Sequence, residues 1–144
     1  LPNVKISQDE RDCLVIEVPY LTEEKIITND LVELKDKRTF LLKGRVDNII
    51  NTGGVKVLPE EVEAKISAHM DLPFLVGAID DNYLGQKIVL LVEGEFPVQL
   101  LEDLKKIEQM TTYELPKAVY SLKAFVRTAN GKIKRKDTFA LLDL

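Results

Sequence analysis

Residues 44–63 read GRVDNIINTGGVKVLPEEVE, and this stretch decides the fold. Its glycines are separated by polar residues, which predicts turns. Pro59 then opens a helix with glutamates in its first turn, because proline suits the first helical position and acids favour the positive end of the helix dipole. Val62, Ile66 and Met70 follow at a spacing of four on one face. We therefore expect a helix from Pro59 to about Met70.

The residues before this stretch predict a small β-rich region. Short runs with strand-like composition, broken by polar turns, cover residues 4–6, 13–18, 31–34 and 39–42. The change in character at residue 44 places a boundary there. We expect two parts, residues 1–43 and 44–144, with a hinge near 44–47.

The residues after the helix predict a mixed region. Two buried strands at 74–79 and 87–92 are joined by turn-forming residues, and a helical pattern follows at 100–108 after Pro97. A third strand at 118–122, a loop at 128–131 and a short closing helix at 136–142 complete the pattern. The expected fold class is α+β, a short sheet flanked by helices.

Composition limits the protein classes to consider. Hydrophobic residues make up 45% and charged residues 31% of the 144 residues, which is typical of a globular protein with a packed core. The apolar runs are far shorter than the roughly 20 residues that span a bilayer, so no membrane partner is expected. The first residues include no initiator Met and no signal segment, which suggests that the chain begins inside a longer protein.

Single titratable residues add little chemistry. Cys13 lies in an alternating run and is expected to be a buried thiol, and a lone cysteine favours a reducing, cytoplasmic location. His69 is expected at the surface near a helix end, and no metal cluster is predicted. A net charge of -4 gives no reason to expect a nucleic-acid partner.

Three segments contain glycines and charged residues that do not fit a hydrophobic core. They are Thr28-Asn29-Asp30, residues 44–63, and RTANGKIKR at residues 127–135. The middle one contains Gly-Arg-x-Asp, Gly-x-Lys and Pro-x-Glu-Val-Glu, and the last contains Thr-x-x-Gly-Lys-Ile-x-Arg. In this order and spacing they resemble the C-terminal motifs of the superfamily that contains acyl-CoA synthetases, nonribosomal-peptide adenylation domains and luciferases.

The resemblance implies a function as well as a fold. Residues 1–43 would be the end of the large N-terminal domain, and residues 44–144 the small mobile lid domain. The parent enzyme would join a carboxylic acid to CoA through an acyl-adenylate, using ATP and Mg²⁺. The wording of residues 44–54, with Gly85-Gln86-Lys87, looks most like o-succinylbenzoate–CoA ligases of menaquinone biosynthesis.

Some features depart from the family pattern. Asn29, Asn51 and Val126 stand where the family usually has Gly, Lys and Pro. The Gly/Ser/Thr-rich phosphate loop and the aromatic-Gly-x-Thr-Glu segment are not in the sequence. We expect them in the missing N-terminal domain of the same protein, so this chain alone is predicted to be inactive.

Lys132 is the predicted catalytic residue. Adenylate formation brings a carboxylate to the α-phosphate of ATP, and a positioned cation must meet the charge that develops there. The alternative is a solvated lysine in the basic run of residues 132–136.

The nucleotide-binding candidates are Asp30 and Arg45. By resemblance Asp30 would accept hydrogen bonds from the ribose hydroxyls, and Arg45 would hold ribose or phosphate oxygens. The alternatives are a turn aspartate for Asp30 and a surface ion pair with Asp47 for Arg45. Asp47 matches the hinge residue of the family, although an ordinary loop aspartate would look the same.

Gly53, Gly54 and Lys56 are the predicted CoA-tunnel residues. Glycines permit close approach of backbone to a ligand, and a plain β-turn is the alternative. The glutamates at 60, 61 and 63 are interpreted mainly as stabilisers of the first helical turn. Rival functions are another acyl- or aryl-CoA ligase, an adenylation domain that loads a carrier protein, and a non-catalytic lid-like binding module.

Overall fold

The computed structural model describes residues 3–142 and divides the chain into two compact units, with the division between Ile49 and Ile50. Each unit contains its own sheet. Gly44 and Arg45, where the boundary was expected, pair with Leu31 and Asp30 in the first sheet. The division therefore lies further along the chain than the composition indicated.

The first unit is a four-stranded antiparallel sheet in the order β1-β2-β3-β4. β-Branched and other apolar residues dominate the second and third strands, which suits a half-buried pleated surface. Cys13 is fully buried there, as predicted. A 3-10 turn, Val46–Asn48, follows the last strand. The strands are β1 (Lys5–Gln8), β2 (Cys13–Glu17), β3 (Ile26–Leu34) and β4 (Phe40–Arg45).

The second unit is a five-stranded sheet with helices, as the α+β prediction required. Its path is β6-β5-β8-β7, and β9 pairs with β8 in parallel. The elements in chain order are β5 (Ile50–Thr52), β6 (Val55–Val57), α1 (Pro59–Ser67), β7 (Phe74–Asp81), β8 (Gly85–Glu93), α2 (Leu100–Leu104), β9 (Ala118–Leu122) and α3 (Arg135–Phe139).

Strand β8 is the centre of the second unit. Its residues 88–92 are at most 1% exposed, which explains their uninterrupted apolar run. Ile88, Leu90 and Val92 belong to the core cluster that includes Val62 and Ile66 of α1 and the buried leucines of α2. Leu91 belongs to a second cluster with Phe125, against which Phe139 of α3 packs. The two clusters reflect the alternation of side chains across the sheet.

Two helices end earlier than their apolar spacing predicted. Helix α1 ends at Ser67 although Met70 still packs on the core, and α2 ends at Leu104 although Ile107 is buried. The reason is a tightening of the chain: Ile107 N donates to Leu104 O at 3.2 Å, three residues back. Such turns keep the apolar spacing without α-helical hydrogen bonds. None of the helices within residues 3–142 is long and apolar enough to cross a membrane.

Candidate functional site

Lys132 lies on a tight hairpin that follows β9. Arg127 and Ile133 form an antiparallel bridge, Thr128 N donates to Lys132 O at 2.8 Å, and Gly131 N donates to Thr128 O at 2.9 Å. Gly131 has a φ of 86°, in the left-handed region where glycine carries no Cβ penalty. The turn chemistry predicted for residues 128–131 is therefore what places Lys132 at the end of the hairpin.

The Lys132 side chain is exposed. No acidic group of residues 3–142 lies within ion-pair distance of its ammonium, whereas Lys134 lies 3.9 Å from Asp137. A flexible, unpaired ammonium is a compact point charge that an approaching phosphate or carboxylate can engage.

Two arginines anchor the hairpin at its ends. The guanidinium of Arg127 makes a two-point contact with the Glu93 carboxylate, and one of these bonds measures 2.9 Å. Glu93 also accepts a hydrogen bond from Phe125 N at 2.6 Å. Arg135 forms an ion pair with Glu63 and donates to Val76 O at 2.7 Å.

Helix α3 closes over the base of the same hairpin. Thr138 is fully buried, and its hydroxyl accepts a hydrogen bond from Val126 N at 3.1 Å. The neighbouring Phe139 ring lies so close to Gly77 of β7 that an added Cβ there would stand 2.2 Å from a ring carbon. The absence of a side chain at Gly77 is therefore what lets α3 approach the sheet.

In the first unit, the two predicted nucleotide-binding residues lie side by side. Asp30 in β3 and Arg45 in β4 are paired positions, and Arg45 Nη1 donates to Asp30 Oδ1 at 2.9 Å. Arg45 therefore pairs with Asp30 and not with Asp47, and Asp30 lies within a strand and not in a turn. A carboxylate has about four acceptor sites, so Asp30 keeps capacity for a further donor.

The residues before Asp30 are held by Arg11. Its guanidinium donates to Asn29 Oδ1 at 3.0 Å and to Thr28 O at 3.0 Å. Thr28 Oγ1 in turn accepts a hydrogen bond from Asp30 N at 3.2 Å. The Asn29 side chain, which stands where the resembled family usually has glycine, thus has a hydrogen-bond partner.

Asp47 is exposed within the 3-10 turn that precedes the division between the units. Its role as a hinge stays a prediction.

Gly53 and Gly54 form the turn of the β5–β6 hairpin. Their φ values of 58° and 82° match a two-residue type I′ turn, which requires positive φ at both positions. A Cβ on Gly53 would lie 3.4 Å from Leu84, but a Cβ on Gly54 would meet nothing within 4 Å. Lys56 is exposed on β6. The β-turn alternative is thus correct as a description of local structure, and the tunnel role stays a prediction.

Sequence reasoning missed the partners of the hairpin. Glu63 was assigned to the first helical turn, but it pairs with Arg135, and Glu93 was given no role. The sequence feature that indicates such partners is the pair of arginines on either side of Lys132, which require acidic partners if they are partly buried. That feature does not say which acids they meet.

The chain is similar to several adenylate-forming enzymes, although no family model matches it. It is 34% identical to an oxalate–CoA ligase of Saccharomyces cerevisiae over 115 residues, 73% of this chain and 21% of that protein. It is 37% identical to the solved structure of an AMP-forming acyl-CoA synthetase/AMP-acid ligase II-like protein from Dyadobacter fermentans, with a TM-score of 0.60 and coverage of 97% and 42%. Escherichia coli MenE with a bound analogue of OSB-AMS is 22% identical, with a TM-score of 0.69 and coverage of 94% and 33%.

The chain spans only about a fifth of the curated relatives first found, 22% and 21% of their lengths. The relatives and structural neighbours of this chain include AMP-forming acyl- and aryl-CoA ligases of the adenylate-forming superfamily, and its mixed α+β fold is that of the C-terminal domain of adenylate-forming enzymes.

Proposed function

We propose that this chain is the C-terminal part of an ATP-dependent ligase that joins a carboxylic acid to CoA through an acyl-adenylate. The observation that carries the proposal is the anchored hairpin, which presents the exposed, unpaired ammonium of Lys132. In the adenylation step this cation would meet the negative charge that develops at the α-phosphate.

Asp30 and Arg45 would bind the nucleotide together. The carboxylate would accept hydrogen bonds from the ribose hydroxyls, while the guanidinium holds it in place at 2.9 Å and offers its remaining donors to ribose or phosphate oxygens. Residues 3–142 contain no group of three or more His, Cys, Asp or Glu that could hold a metal ion. The Mg²⁺ of the proposed reaction would be held chiefly by the ATP phosphates and by water.

The thioester step would use the β5–β6 hairpin. Open space beside Gly54 leaves room for the pantetheine arm of CoA, and Lys56 on the same hairpin offers a cation. Asp47 would be the hinge between the two states. The missing N-terminal domain would supply the acid pocket and the phosphate loop, and the location would be cytoplasmic.

The preferred acid is o-succinylbenzoate, which would place the enzyme in menaquinone biosynthesis. The proposal rests on the motif residues of the stretch 44–54. Oxalate is the acid to test beside it, because a relative with 34% identity is an oxalate–CoA ligase. A carrier protein in place of CoA is the remaining rival acceptor.

The test is Lys132→Ala in a full-length protein that carries this chain after its ATP-binding domain. Acid-dependent pyrophosphate exchange should fall by about 10²-fold or more, as expected when an electrostatic donor is lost. Lys136→Ala, in the same basic run, is the matched control and should keep the activity. Equal activity of both variants would contradict the catalytic role of Lys132, and no pyrophosphate exchange with any acid of a broad panel would favour the non-catalytic binding module.

A further inference from the structure

The hairpin that carries Lys132 is flanked by two arginines whose partners come from different elements. Arg127 meets Glu93 at the end of β8, and Arg135 meets Glu63 in α1. We call Arg127–Glu93 and Arg135–Glu63 the anchor pairs. They hold the two arms of one hairpin to the central sheet and to the helix packed against it.

The anchor pairs are better shielded than most of the ion pairs described within residues 3–142. The side chains of Arg135 and Glu63 are 22% and 20% exposed, and those of Arg127 and Glu93 are 33% and 20% exposed. In comparison, Lys106 and Asp103 are 79% and 55% exposed. Reduced exposure to water limits the screening of the attraction between the charges. The anchor pairs therefore hold their side chains in one arrangement more firmly than exposed ion pairs do.

Each anchor pair also recruits the backbone. The Glu93 carboxylate accepts hydrogen bonds from both terminal nitrogens of Arg127 and from the Phe125 amide. These three bonds fix the orientation of the carboxylate. Arg135 bonds to Val76 O of β7 as well as to Glu63, and Val76 N lies 3.4 Å from the same glutamate. The two-point contact between Arg127 and Glu93 adds directional specificity to the attraction between charges.

The second anchor pair joins two sequence motifs. Glu63 is the last residue of the stretch 44–63, and Arg135 is the last residue of the stretch 127–135. Neither residue has the exposure or the free charge of Lys132, so their side chains are suited to holding structure and not to contacting a substrate.

We propose that the anchor pairs are positioning elements that set where the Lys132 ammonium lies during adenylation. The effect on the reaction step rests on the proposed function. The mechanical part, that the anchor pairs hold the hairpin in place, concerns this chain alone. Without the pairs, the hairpin loses its charged attachments to β8 and α1, and its own hydrogen bonds should open more often. The packing of Ile133 against the cluster of Leu91 and Phe125 remains. An ångström-scale displacement of a catalytic group can cost about 10²-fold in rate.

The mechanical part is tested by hydrogen exchange on the chain. In the double variant Glu63→Gln/Arg135→Gln, no unpaired charge is left behind. The hairpin amides of Thr128, Gly131 and Lys134 should exchange at least about tenfold faster, while amides of β7 and β8 keep their protection. The matched control is Lys65→Gln/Glu114→Gln, a partly buried pair of the same unit that is not attached to the hairpin.

Unchanged exchange at the hairpin would overturn the inference, whatever the activity shows. If the double variant unfolds, Glu93→Gln/Arg127→Gln gives the same test at the other anchor pair, and Arg135→Lys is the conservative comparison. The lysine variant retains a cation that can donate to both oxygens and should restore most of the protection.

The catalytic part is tested by pyrophosphate exchange in the full-length protein. The anchor-pair variant should lose about tenfold or more in kcat with little change in the KM for ATP, and thioester formation from supplied acyl-adenylate should be spared. When Lys132→Ala is already present, the anchor-pair variant should not lower kcat further, because no lysine remains to be displaced.

Two results would show a general structural role and contradict the positioning inference. One is a further tenfold loss of kcat in the Lys132→Ala protein, and the other is an equal loss in adenylation and in thioester formation. If Lys132→Ala itself leaves adenylation unchanged while the hairpin amides respond as expected, the catalytic role proposed for Lys132 fails and the mechanical attachment stands. The two failures are thus distinguishable.

Discussion

Glu63 and Glu93 anchor the same hairpin, but the protein shifts their pKa values in opposite directions. Hydrogen bonds from Arg127, and then from the Phe125 amide, lower the pKa of Glu93. For Glu63 burial is the largest effect and raises the pKa, and the Arg135 partner only partly offsets it. The Arg127–Glu93 contact therefore stabilises the ionised fold, whereas the Glu63 carboxylate is held in place at a desolvation cost.

The lowered pKa of Glu93 gives a pH prediction. A folded-state pKa below the ordinary value near 4.5 contributes stability that is present above that value and is lost as the pH falls through the folded pKa. Glu93→Gln should therefore lower the free energy of unfolding at neutral pH, and the difference from the wild type should shrink below about pH 4.

Denaturant unfolding at a series of pH values measures this difference. Glu102→Gln is the control, because Glu102 pairs with Lys105 on an exposed face of α2 and its side chain is 69% exposed. A constant gap between the Glu93 variant and the wild type from pH 7 to pH 3 would contradict the pKa shift.

At this scale the sequence indicates groups but not their partners. Lys132, Asp30 and Arg45 stand out by residue type and motif, and the structure pairs the latter two. The contacts that hold the hairpin join residues far apart in sequence: Arg135 and Val76 are 59 positions apart, and Arg127 and Glu93 are 34 apart. Such contacts depend on the path of the chain, which local patterns do not define.

Among the elements, the buried strands were the most predictable. The run at 87–92 lies within β8, because residues in the middle of a sheet are apolar without interruption. The strand expected at 118–122 has the bounds of β9, although β9 is only half-buried. Helix ends were less predictable. The closing helix expected at 136–142 is α3, Arg135–Phe139, since Leu141 N and Leu142 N bond three residues back and leave the α-helical pattern.

The position of α3 depends on Gly77, which yields a packing prediction. Gly77→Ala would place a methyl group 2.2 Å from the Phe139 ring, so the ring and α3 must shift. Overpacking of this kind costs roughly 1–3 kcal/mol. Thermal unfolding should show the loss.

A second substitution should relieve that cost. Leucine is smaller than phenylalanine, so Gly77→Ala/Phe139→Leu should be more stable than the sum of the two single effects, because the residues share one space. Additive effects of the two substitutions would show that the ring moves aside freely and that Gly77 does not determine the approach of α3.

At the scale of the whole molecule, each unit carries part of the proposed chemistry. Asp30 and Arg45 belong to the first unit, and Lys132 and Gly54 belong to the second. The sequence suggested two parts but placed the boundary early, because Gly44 resembles a linker residue and yet is buried as a strand residue opposite Leu31. The sequence does not distinguish a glycine in a sheet from a glycine in a linker, because the two differ only in the residues with which they pair.

Limited proteolysis tests whether the segment between the sheets is a flexible connection. We expect the first cleavages within residues 46–49, because this short turn lies between two separately folded sheets and makes few backbone hydrogen bonds. Helix α1, whose Val62 and Ile66 are fully buried, should be cut later. Mass spectrometry of the early fragments identifies the order, and cleavage in α1 before residues 46–49 would contradict a hinge there.

The last prediction separates the two half-reactions of the proposed enzyme. Lys132 and Gly54 lie on different hairpins of the same unit, so a domain that turns as a body can present one while it withdraws the other. Gly54→Leu projects a side chain into space that holds no atom within 4 Å of the new Cβ. It should slow thioester formation from supplied acyl-adenylate by about tenfold or more and leave pyrophosphate exchange intact.

The φ of 82° at Gly54 makes a second variant necessary, because leucine there is strained whatever the space. Asn tolerates this conformation and is smaller, so Gly54→Asn separates strain from obstruction. If the bulk of the side chain blocks the pantetheine path, the asparagine variant should be less impaired in the thioester step than leucine at equal adenylation. If both variants and Lys132→Ala lose both steps equally while they remain folded, the two hairpins do not serve separate steps, because a shared loss is what damage to one common conformation would produce.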